Sequence, residues 1–373
     1  MSSAQRFTAL DVFRGLTVCF MIIVNTSGNG ATTFAPLQHA AWHGFTPTDL
    51  VFPSFLFAVG NAMSFVMLKW AGKPQSEVLG KILKRTLLIF LLGYLMYWFP
   101  FFKLDKAHHM VSFPIRDTRI LGVLQRIALC YGIASLMFYY LKPKTVVYIS
   151  AGLLLLYWGI LSWFGEPGNE LSMTGNAGIL IDKFLMGESH MYHGEGIAFD
   201  PEGWLSTLPA IGNVVGGFMV GRFVQKQGNS WEGLAKLLLA GAALVFLAYS
   251  WNWVFPINKK LWTSSFVLYT VGLDCVILSA VIYLVQFRQQ TSWTHFFEVF
   301  GKNPLFIYLL SEVGITILYF IPAGKVPVTT WLYQHVFRLA GDYTGALLYA
   351  VSWMLFCWLV GYWMDKKKIY VRV

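Results

Sequence analysis

The sequence predicts an all-α integral membrane protein with about ten transmembrane helices. Hydrophobic residues make up 56% of the 373 positions and charged residues only 12%, whereas a soluble domain carries about 25% charged residues. The mean hydropathy of +0.56 agrees with this class. Several apolar runs reach the length of about 20 residues that a helix needs to cross a bilayer. Because these runs are continuous and do not alternate with a period of two, they exclude a transmembrane barrel.

The predicted spans follow these apolar runs in chain order. They lie at about 9–25, 49–68, 86–104, 120–141, 145–164, 207–224, 236–255, 264–287, 303–321 and 344–363. The simplest organisation is a single transmembrane domain covering residues 1–373. The cysteines all fall inside predicted spans, so they are interpreted as small apolar packing residues and not as a disulfide or metal framework.

The basic residues predict the orientation in the membrane. A net charge of +10 would suggest nucleic acid in a soluble protein, but here the basic residues lie mostly in short loops between apolar runs, where they orient the chain. The distribution of the basic residues among the loops predicts that both termini lie in the cytoplasm. Because membrane orientation accounts for the positive charge, no nucleic-acid partner is expected. Three segments then lie outside: 26–48, the acidic segment 165–206, and 322–343, which is predicted to hold an interfacial helix.

Ionisable side chains inside predicted spans are costly and therefore mark candidate functional positions. Arg14 either pairs locally with Asp11 or faces inward. Arg126 lies deeper and needs an anionic partner, which is either a ligand or a carboxylate of the protein. Asp274 and Glu312, in later spans, are the two protein candidates.

The first outside loop concentrates the polar chemistry of the chain. Between Arg14 and Lys69 there is no lysine or arginine, and the loop carries His39 and His43. His39 is either a general base or nucleophile, or a hydrogen-bonded surface residue. The two histidines have zinc-ligand spacing, but no third ligand is near, and His108, His109, His190 and His193 would have to come from distant segments. No metal is expected. Asn25 is either a helix C-terminal residue before a glycine turn or an amide donor.

Several motifs, in order along almost the whole chain, resemble a known family. They are Leu10–Gly15, Val24–Asn25, His39–Pro53, Arg119–Arg126, Asp200–Gly203, Pro256–Trp262, and Gly301–Pro304 with Glu312. The chain resembles the heparan-α-glucosaminide N-acetyltransferase family of transmembrane acyltransferases. It is similar to a short form that lacks the extra amino-terminal lumenal segment of animal members, and we therefore expect a bacterial inner-membrane protein whose active site opens to the periplasm.

The resemblance implies an acetyl-CoA-dependent acyltransferase. It would move the acetyl group of cytosolic acetyl-CoA to the amine of a glucosamine-type sugar on the extracytoplasmic side. The family's active histidine falls on His39 and its active-site asparagine on Asn25, which favours the functional interpretation of both residues. His39 is expected to deprotonate the amine while Asn25 donates to the thioester oxygen. An acetyl-histidine intermediate is the competing mechanism.

The same chemistry suggests which residues hold the two substrates. Acetyl-CoA is polyanionic, so cations and a neighbouring amide are expected to bind it. These candidates are Arg14, Arg126, Lys302, Asn303, Lys366, Lys367 and Lys368. Carboxylates, amides and indole rings suit a cationic aminosugar. These candidates are Trp42, Asp49, Glu202, Asn258, Trp262 and Glu312.

Two alternatives stay open from the sequence. The acceptor is either glucosamine or another saccharide, such as an envelope glycan. A solute transporter would also explain many spans and buried charges, but it predicts inverted repeats, and none is visible. The expected partners are an aminosugar or oligosaccharide acceptor, membrane lipid and, as in a family of this kind, a second copy of the chain.

Overall fold

A computed structural model describes residues 7–104 and 110–371, and the described chain is almost entirely helical. Its thirteen α-helices are α1 Thr8–Asn25, α2 Pro47–Leu68, α3 Gln75–Trp98, α4 Val123–Tyr140, α5 Pro143–Phe164, α6 Ala177–Met186, α7 Trp204–Gln227, α8 Trp231–Asn252, α9 Ser264–Ile282, α10 Thr294–Lys302, α11 Pro304–Phe320, α12 Val328–His335 and α13 Asp342–Lys366. The other described elements are two antiparallel strand pairs, β1 Phe102–Leu104 with β2 Met110–Ser112 and β3 Pro322–Ala323 with β4 Val326–Pro327, and several short 3-10 and π-helical segments. The all-α membrane class is confirmed.

Each predicted span falls on one of these helices. Eight of the described helices are long and apolar enough to cross a membrane, and the pair α10 and α11, bent by 82°, counts as a ninth if it forms one span. The remaining prediction, 86–104, falls on α3, which begins earlier and carries Lys81, Lys84 and Arg85 in its first half. The orientation of the termini stays a prediction.

Side chains and prolines set where the helices begin. The Asn176 side chain accepts a hydrogen bond from the Ile179 amide at the start of α6. Ser230 does the same at the start of α8. Each cap satisfies an amide that has no partner within its own helix. Pro304 is the first residue of α11. A proline cannot continue the preceding helix but suits the first turn of a new one, which accounts for the bend after α10.

The chain divides into two compact units. Unit 1 contains the described residues of Met1–Ala40, Thr46–Phe55 and Ile277–Arg372, and unit 2 those of Ala41–Phe45 and Leu56–Val276. The division therefore cuts the histidine loop, with residues 41–45 in one unit and their flanks in the other. The single-domain organisation of residues 1–373 stays a prediction.

In unit 1, two glycines let α1 and α10 approach closely. A Cβ atom added at Gly15 would lie 1.8 Å from the Phe297 carbonyl oxygen, and one added at Gly301 would lie 2.3 Å from that of Asp11. Since real Cβ atoms do not come this near, both positions require glycine. In a membrane, such close backbone approach is a main source of helix association.

In unit 2, α7 packs against α4, α5, α6 and α8. The part of α2 that belongs to unit 2 also packs against small residues of α7. A Cβ atom at Gly217 would lie 2.0 Å from the Phe57 carbonyl oxygen, and one at Gly60 would lie 2.0 Å from that of Val214. Unit 2 is therefore built on close helix contacts of the same kind.

We expect Gly15→Ala to lower thermal stability, because the new methyl group pushes α1 away from α10. Overpacking of this kind costs about 1–3 kcal/mol. The melting temperature of the purified protein in detergent measures the effect. Gly80→Ala is the matched control, since a Cβ atom there would meet no atom within 4 Å and alanine favours a helix. Equal melting temperatures for the two variants would contradict the close contact.

Candidate active site

His39 and Asp49 form a hydrogen-bonded pair in unit 1. The His39 Nδ1 atom lies 2.7 Å from Asp49 Oδ1. The side chain of Asp49 is 1% exposed, whereas that of His39 is 46% exposed. A carboxylate can only accept, so Nδ1 carries the proton and the neutral ring has its basic lone pair on Nε2. A histidine oriented in this way can act as a general base.

The start of α2 explains why Asp49 is held so firmly. Pro47 is the first residue of the helix and Asp49 lies in its first turn. The Asp49 Oδ2 atom accepts from the Thr46 amide at 3.0 Å and from the Ala40 amide at 3.1 Å. A carboxylate at this position closes the amino-terminal turn, and the helix dipole favours its charge. The same side chain therefore starts the helix and orients His39.

Asn25 and Glu312 form a second pair in unit 1. Asn25 is the last residue of α1, and its Nδ2 atom donates to Glu312 Oε1 on α11 at 3.0 Å. The amide oxygen of Asn25 therefore points away from the carboxylate and is an acceptor, while Nδ2 keeps a second hydrogen.

A chain of hydrogen bonds links the Asn25 end of the loop to the histidine pair. Ser27 Oγ lies 2.5 Å from Thr33 Oγ1. The Gln38 side chain donates to the Thr33 carbonyl at 2.6 Å. The Thr46 hydroxyl contacts both the Gln38 carbonyl at 2.7 Å and Asp49 Oδ2 at 3.1 Å. The structure thus brings both predicted catalytic residues into one folded segment.

A cavity of about 350 Å³ lies at the Asn25 end of this segment. Asn25 to Gly28 form one wall, and residues of α11, α12 and α13 form the others. Gly28 lets this loop pack closely against two tyrosines, because a Cβ atom there would lie 2.7 Å from Tyr333 and 3.0 Å from Tyr349. Seven of the ten lining residues carry a hydroxyl group, so the cavity is polar but uncharged apart from its neighbour Glu312. Sequence reasoning missed this cavity.

Most of the residues predicted to bind the donor come together within unit 1. Arg14 donates to Asp11 at 2.7 Å and lies beside the close contact of α1 with α10. Lys302, at the end of α10, pairs with Asp365 at 2.7 Å. Asn303 holds the chain after α13 by bonding Ile369 and Val371. The exposed lysines of that tail are Lys366, Lys367 and Lys368.

The remaining residues of the histidine loop belong to unit 2, where they are held by polar contacts. The Trp42 ring nitrogen donates to the Leu171 carbonyl at 2.8 Å. The Asn258 side chain lies 3.2 Å from His43 Nδ1, and the Gly44 amide donates to the Ile257 carbonyl at 2.9 Å. Burial lowers the pKa of His43, so its ring is neutral. Trp42, His43 and Asn258 therefore fix the loop, and whether Trp42 and Asn258 contact substrate stays a prediction.

Glu202 lies in a buried ion-pair cluster of unit 2. Arg119 donates to Asp200 at 2.6 Å and 3.0 Å and to Glu202 at 2.5 Å. Burial opposes the charge of Glu202, but Arg119 and its other cationic neighbours hold the pKa of this carboxyl below its usual value. Arg119 was not predicted as a site residue, although the acidic pair Asp200 and Glu202 was a signal for a cationic partner.

Arg126 and Trp262 are fully buried in unit 2. The Arg126 guanidinium donates to the Gly203 carbonyl at 3.1 Å and to the Ser206 hydroxyl. It also lies 4.9 Å from the centroid of the Trp262 ring. Neither of the carboxylates predicted as its partner, Asp274 or Glu312, is among these contacts, and Glu312 bonds Asn25 instead. Helix α4 thus places Arg126 against the start of α7.

Comparisons with known proteins show which family the chain belongs to. Residues 6–249 match the family described as heparan-alpha-glucosaminide N-acetyltransferase, catalytic. The chain belongs to this family. It is 27% identical over 367 residues to the heparan-alpha-glucosaminide N-acetyltransferase of Mus musculus, with 84% of this chain and 54% of that protein covered. With the Homo sapiens protein of the same name it is 26% identical over 363 residues, covering 83% and 53%.

The chain spans about half the length of these curated relatives. The matched heparan-alpha-glucosaminide N-acetyltransferase region contains Asn25, His39 and Asp49, whereas Glu312 and the lysine tail lie beyond it. Among the residues that the structure describes, no group of three or more histidines, cysteines or carboxylates is placed to hold a metal ion. His108 and His109 lie outside the described residues.

We expect Asp182 to make the stability of unit 2 depend on pH. It lies on α6, where its Oδ1 accepts from the Trp204 amide at 2.8 Å, and burial raises the pKa of its carboxyl to about 7. The folded state then binds more protons than the unfolded state, so stability falls as pH rises from about 4 to about 7. We expect Asp182→Asn, which keeps an acceptor oxygen, to weaken this fall.

Melting temperatures in detergent at several pH values between 5 and 8 measure the effect. The exposed Glu188, whose pKa is lowered by its hydrogen bond with Lys183, provides the control. Glu188→Gln should leave the pH dependence of the wild type unchanged in this range. A wild-type slope retained in full by Asp182→Asn would contradict the assignment.

Proposed function

We propose that the protein is a transmembrane N-acetyltransferase that moves the acetyl group of cytosolic acetyl-CoA to the amine of a glucosamine-type sugar on the extracytoplasmic side. The observation that carries this proposal is the His39–Asp49 pair, a base held in one tautomer in a chain of this family. The names of the mouse and human relatives support the glucosamine acceptor. The excess of basic residues in the loops predicted to be cytoplasmic supports the orientation.

We propose direct transfer of the acetyl group. The Nε2 atom of His39 takes a proton from the sugar ammonium, and the amine lone pair then attacks the thioester carbonyl carbon. Negative charge develops on the carbonyl oxygen, where the second Nδ2 hydrogen of Asn25 can stabilise it. The carbon–sulfur bond breaks, and the imidazolium returns its proton to the CoA thiolate. The neutral imidazole then takes the second proton from the acetylated nitrogen and releases it to solvent, which leaves the neutral amide. Asp49 stabilises the imidazolium between these steps.

The competing course uses His39 as the nucleophile. Its Nε2 atom would attack the thioester, release CoA and carry the acetyl group as an acetyl-imidazole until the amine displaces it. Acetyl label retained on the protein after incubation with acetyl-CoA alone would favour this course. Absence of that label, together with full activity towards the sugar, would favour direct transfer.

The cations at one end of unit 1 suit the phosphates of the donor. Lys302 retains donor hydrogens beyond its carboxylate partner, and Lys366, Lys367 and Lys368 are exposed. Arg14 adds a partly exposed cation, paired with Asp11. We propose that these residues hold the nucleotide part of acetyl-CoA, with Asn303 positioning the tail. Arg126 is fully buried in unit 2, and its contact with the donor stays a prediction outside this group.

We expect His39→Ala to reduce sugar-dependent CoA release from acetyl-CoA by about 10²–10⁴-fold, since the general base is removed. Asp49→Asn should cause a loss of similar order, because the amide stabilises the wrong tautomer of His39. The measurement is CoA thiol release by purified protein with glucosamine. His335→Ala, at an exposed histidine, is the control and should retain activity. Normal turnover by a folded His39→Ala protein would contradict the assignment of His39 as the catalytic base.

Replacing Lys366, Lys367 and Lys368 together by glutamine should raise the KM for acetyl-CoA by about five- to thirtyfold and leave the KM for glucosamine unchanged. Exposed ion pairs contribute up to about 1 kcal/mol each, and salt screens them. The wild-type KM for acetyl-CoA should therefore rise with ionic strength more steeply than that of the variant. Glutamines at Lys142 and Lys144, exposed at the start of α5, serve as the control, and an equal effect from them would overturn the donor site.

A further inference from the structure

We propose that the cavity at the end of α1 is the subsite that holds the acceptor sugar ring. This inference rests on the proposed function and extends it, because it assigns the ring of the aminosugar to the space between the Asn25 loop, α11, α12 and α13. The occupant is a single pyranose with a free amine. The amine would lie at the Asn25–Glu312 pair.

The chemistry of the walls favours a carbohydrate. The cavity is lined by Thr26, Tyr319, Thr329, Thr330 and Tyr349, whose hydroxyl groups make no side-chain hydrogen bond within the described residues. Such groups would be costly beside lipid, but they match the alternating donors and acceptors of a sugar. The two tyrosine rings also provide apolar surface for the C–H face of a pyranose.

Size and charge argue against the donor as the occupant. The volume of about 350 Å³ is near the lower end of the range of about 300–1,000 Å³ for ligand sites, and it suits one sugar ring better than the much larger CoA. None of the ten lining residues is a lysine or arginine, so nothing in the wall neutralises a phosphate. A neutral wall beside one carboxylate is suited to a cationic ligand instead.

The Asn25–Glu312 pair supplies the contact for the amine. Because Asn25 Nδ2 donates to Glu312 Oε1, its Oδ1 atom is an acceptor for a sugar N–H, and Asn25 itself lines the cavity. Thr316, one turn after Glu312, donates to the Glu312 carbonyl at 2.8 Å and also lines the cavity. Glu312 is not itself one of the lining residues, but Asn25 links its carboxylate to this space.

The cavity is also connected to the catalytic pair. Ser27 lines it and begins the hydrogen-bond chain that continues through Thr33, Gln38 and Thr46 to Asp49. A sugar that contacts the Asn25 end would thus be held by the same folded segment that orients His39. The segment couples acceptor binding to the base that must deprotonate the amine.

The test is the double variant Thr329→Val and Thr330→Val, which keeps side-chain shape and removes two hydroxyls. Its KM for glucosamine should rise roughly five- to fiftyfold, as expected for two lost hydrogen bonds, while its KM for acetyl-CoA stays within about twofold. Thr145→Val, at an exposed threonine of α5, is the matched control. A rise in the KM for acetyl-CoA alone would show that the donor occupies the cavity, and unchanged constants would also overturn the proposal.

Direct binding separates this inference from the proposed function. Equilibrium dialysis of radiolabelled glucosamine against the His39→Ala protein measures acceptor binding without turnover. Adding the two valines should weaken that binding by a similar factor, whether or not the wild type transfers acetyl groups. Glucosamine binding that is equal with and without the valines would overturn the subsite, whereas binding without any acetyl transfer would count only against the proposed function.

Discussion

The rest of the candidate site depends on the hydrogen bonds that Asp49 accepts. One buried carboxylate accepts from the backbone of Ala40 and Thr46, from the Thr46 hydroxyl and from His39. It starts α2, closes the loop and sets the tautomer of the histidine. Because a buried charge is stable only when its partners are in place, the loop has one arrangement that satisfies Asp49, and that arrangement orients His39.

Close helix packing provides the frame for this loop. In unit 1, glycines at the contact of α1 with α10 set the position of α1, and α1 ends at Asn25. Asn25 in turn meets Glu312, which lies 287 residues later. A polar pair of this kind is acceptable in a membrane protein because each partner satisfies the other. The start of α2 therefore positions His39, and the contact of α1 with α10 positions Asn25. The hydrogen-bonded loop joins these two residues.

The sequence was sufficient for the helices, whereas the roles of the site residues stay predictions. Hydropathy is a local property, so all predicted spans fall on helices, although α3 begins before its predicted apolar run. The motifs also indicated His39 and Asn25. Asp49 was predicted to contact substrate, and this stays a prediction. The structure adds that its oxygens bond His39 and the backbone of Ala40 and Thr46. Trp262 and Arg126 could not be assigned from sequence either, because their contacts come from distant helices.

What the sequence alone determined is the membrane class, the order of the helices and the family, since these follow from runs of apolar residues and from short motifs. Only the tertiary structure decided which polar groups meet. It paired Asn25 with Glu312, Lys302 with Asp365 and Arg119 with Asp200 and Glu202, and it formed the hydroxyl-lined cavity. The physical reason is that these contacts join residues far apart in the chain, and their geometry depends on helix packing that no local pattern encodes.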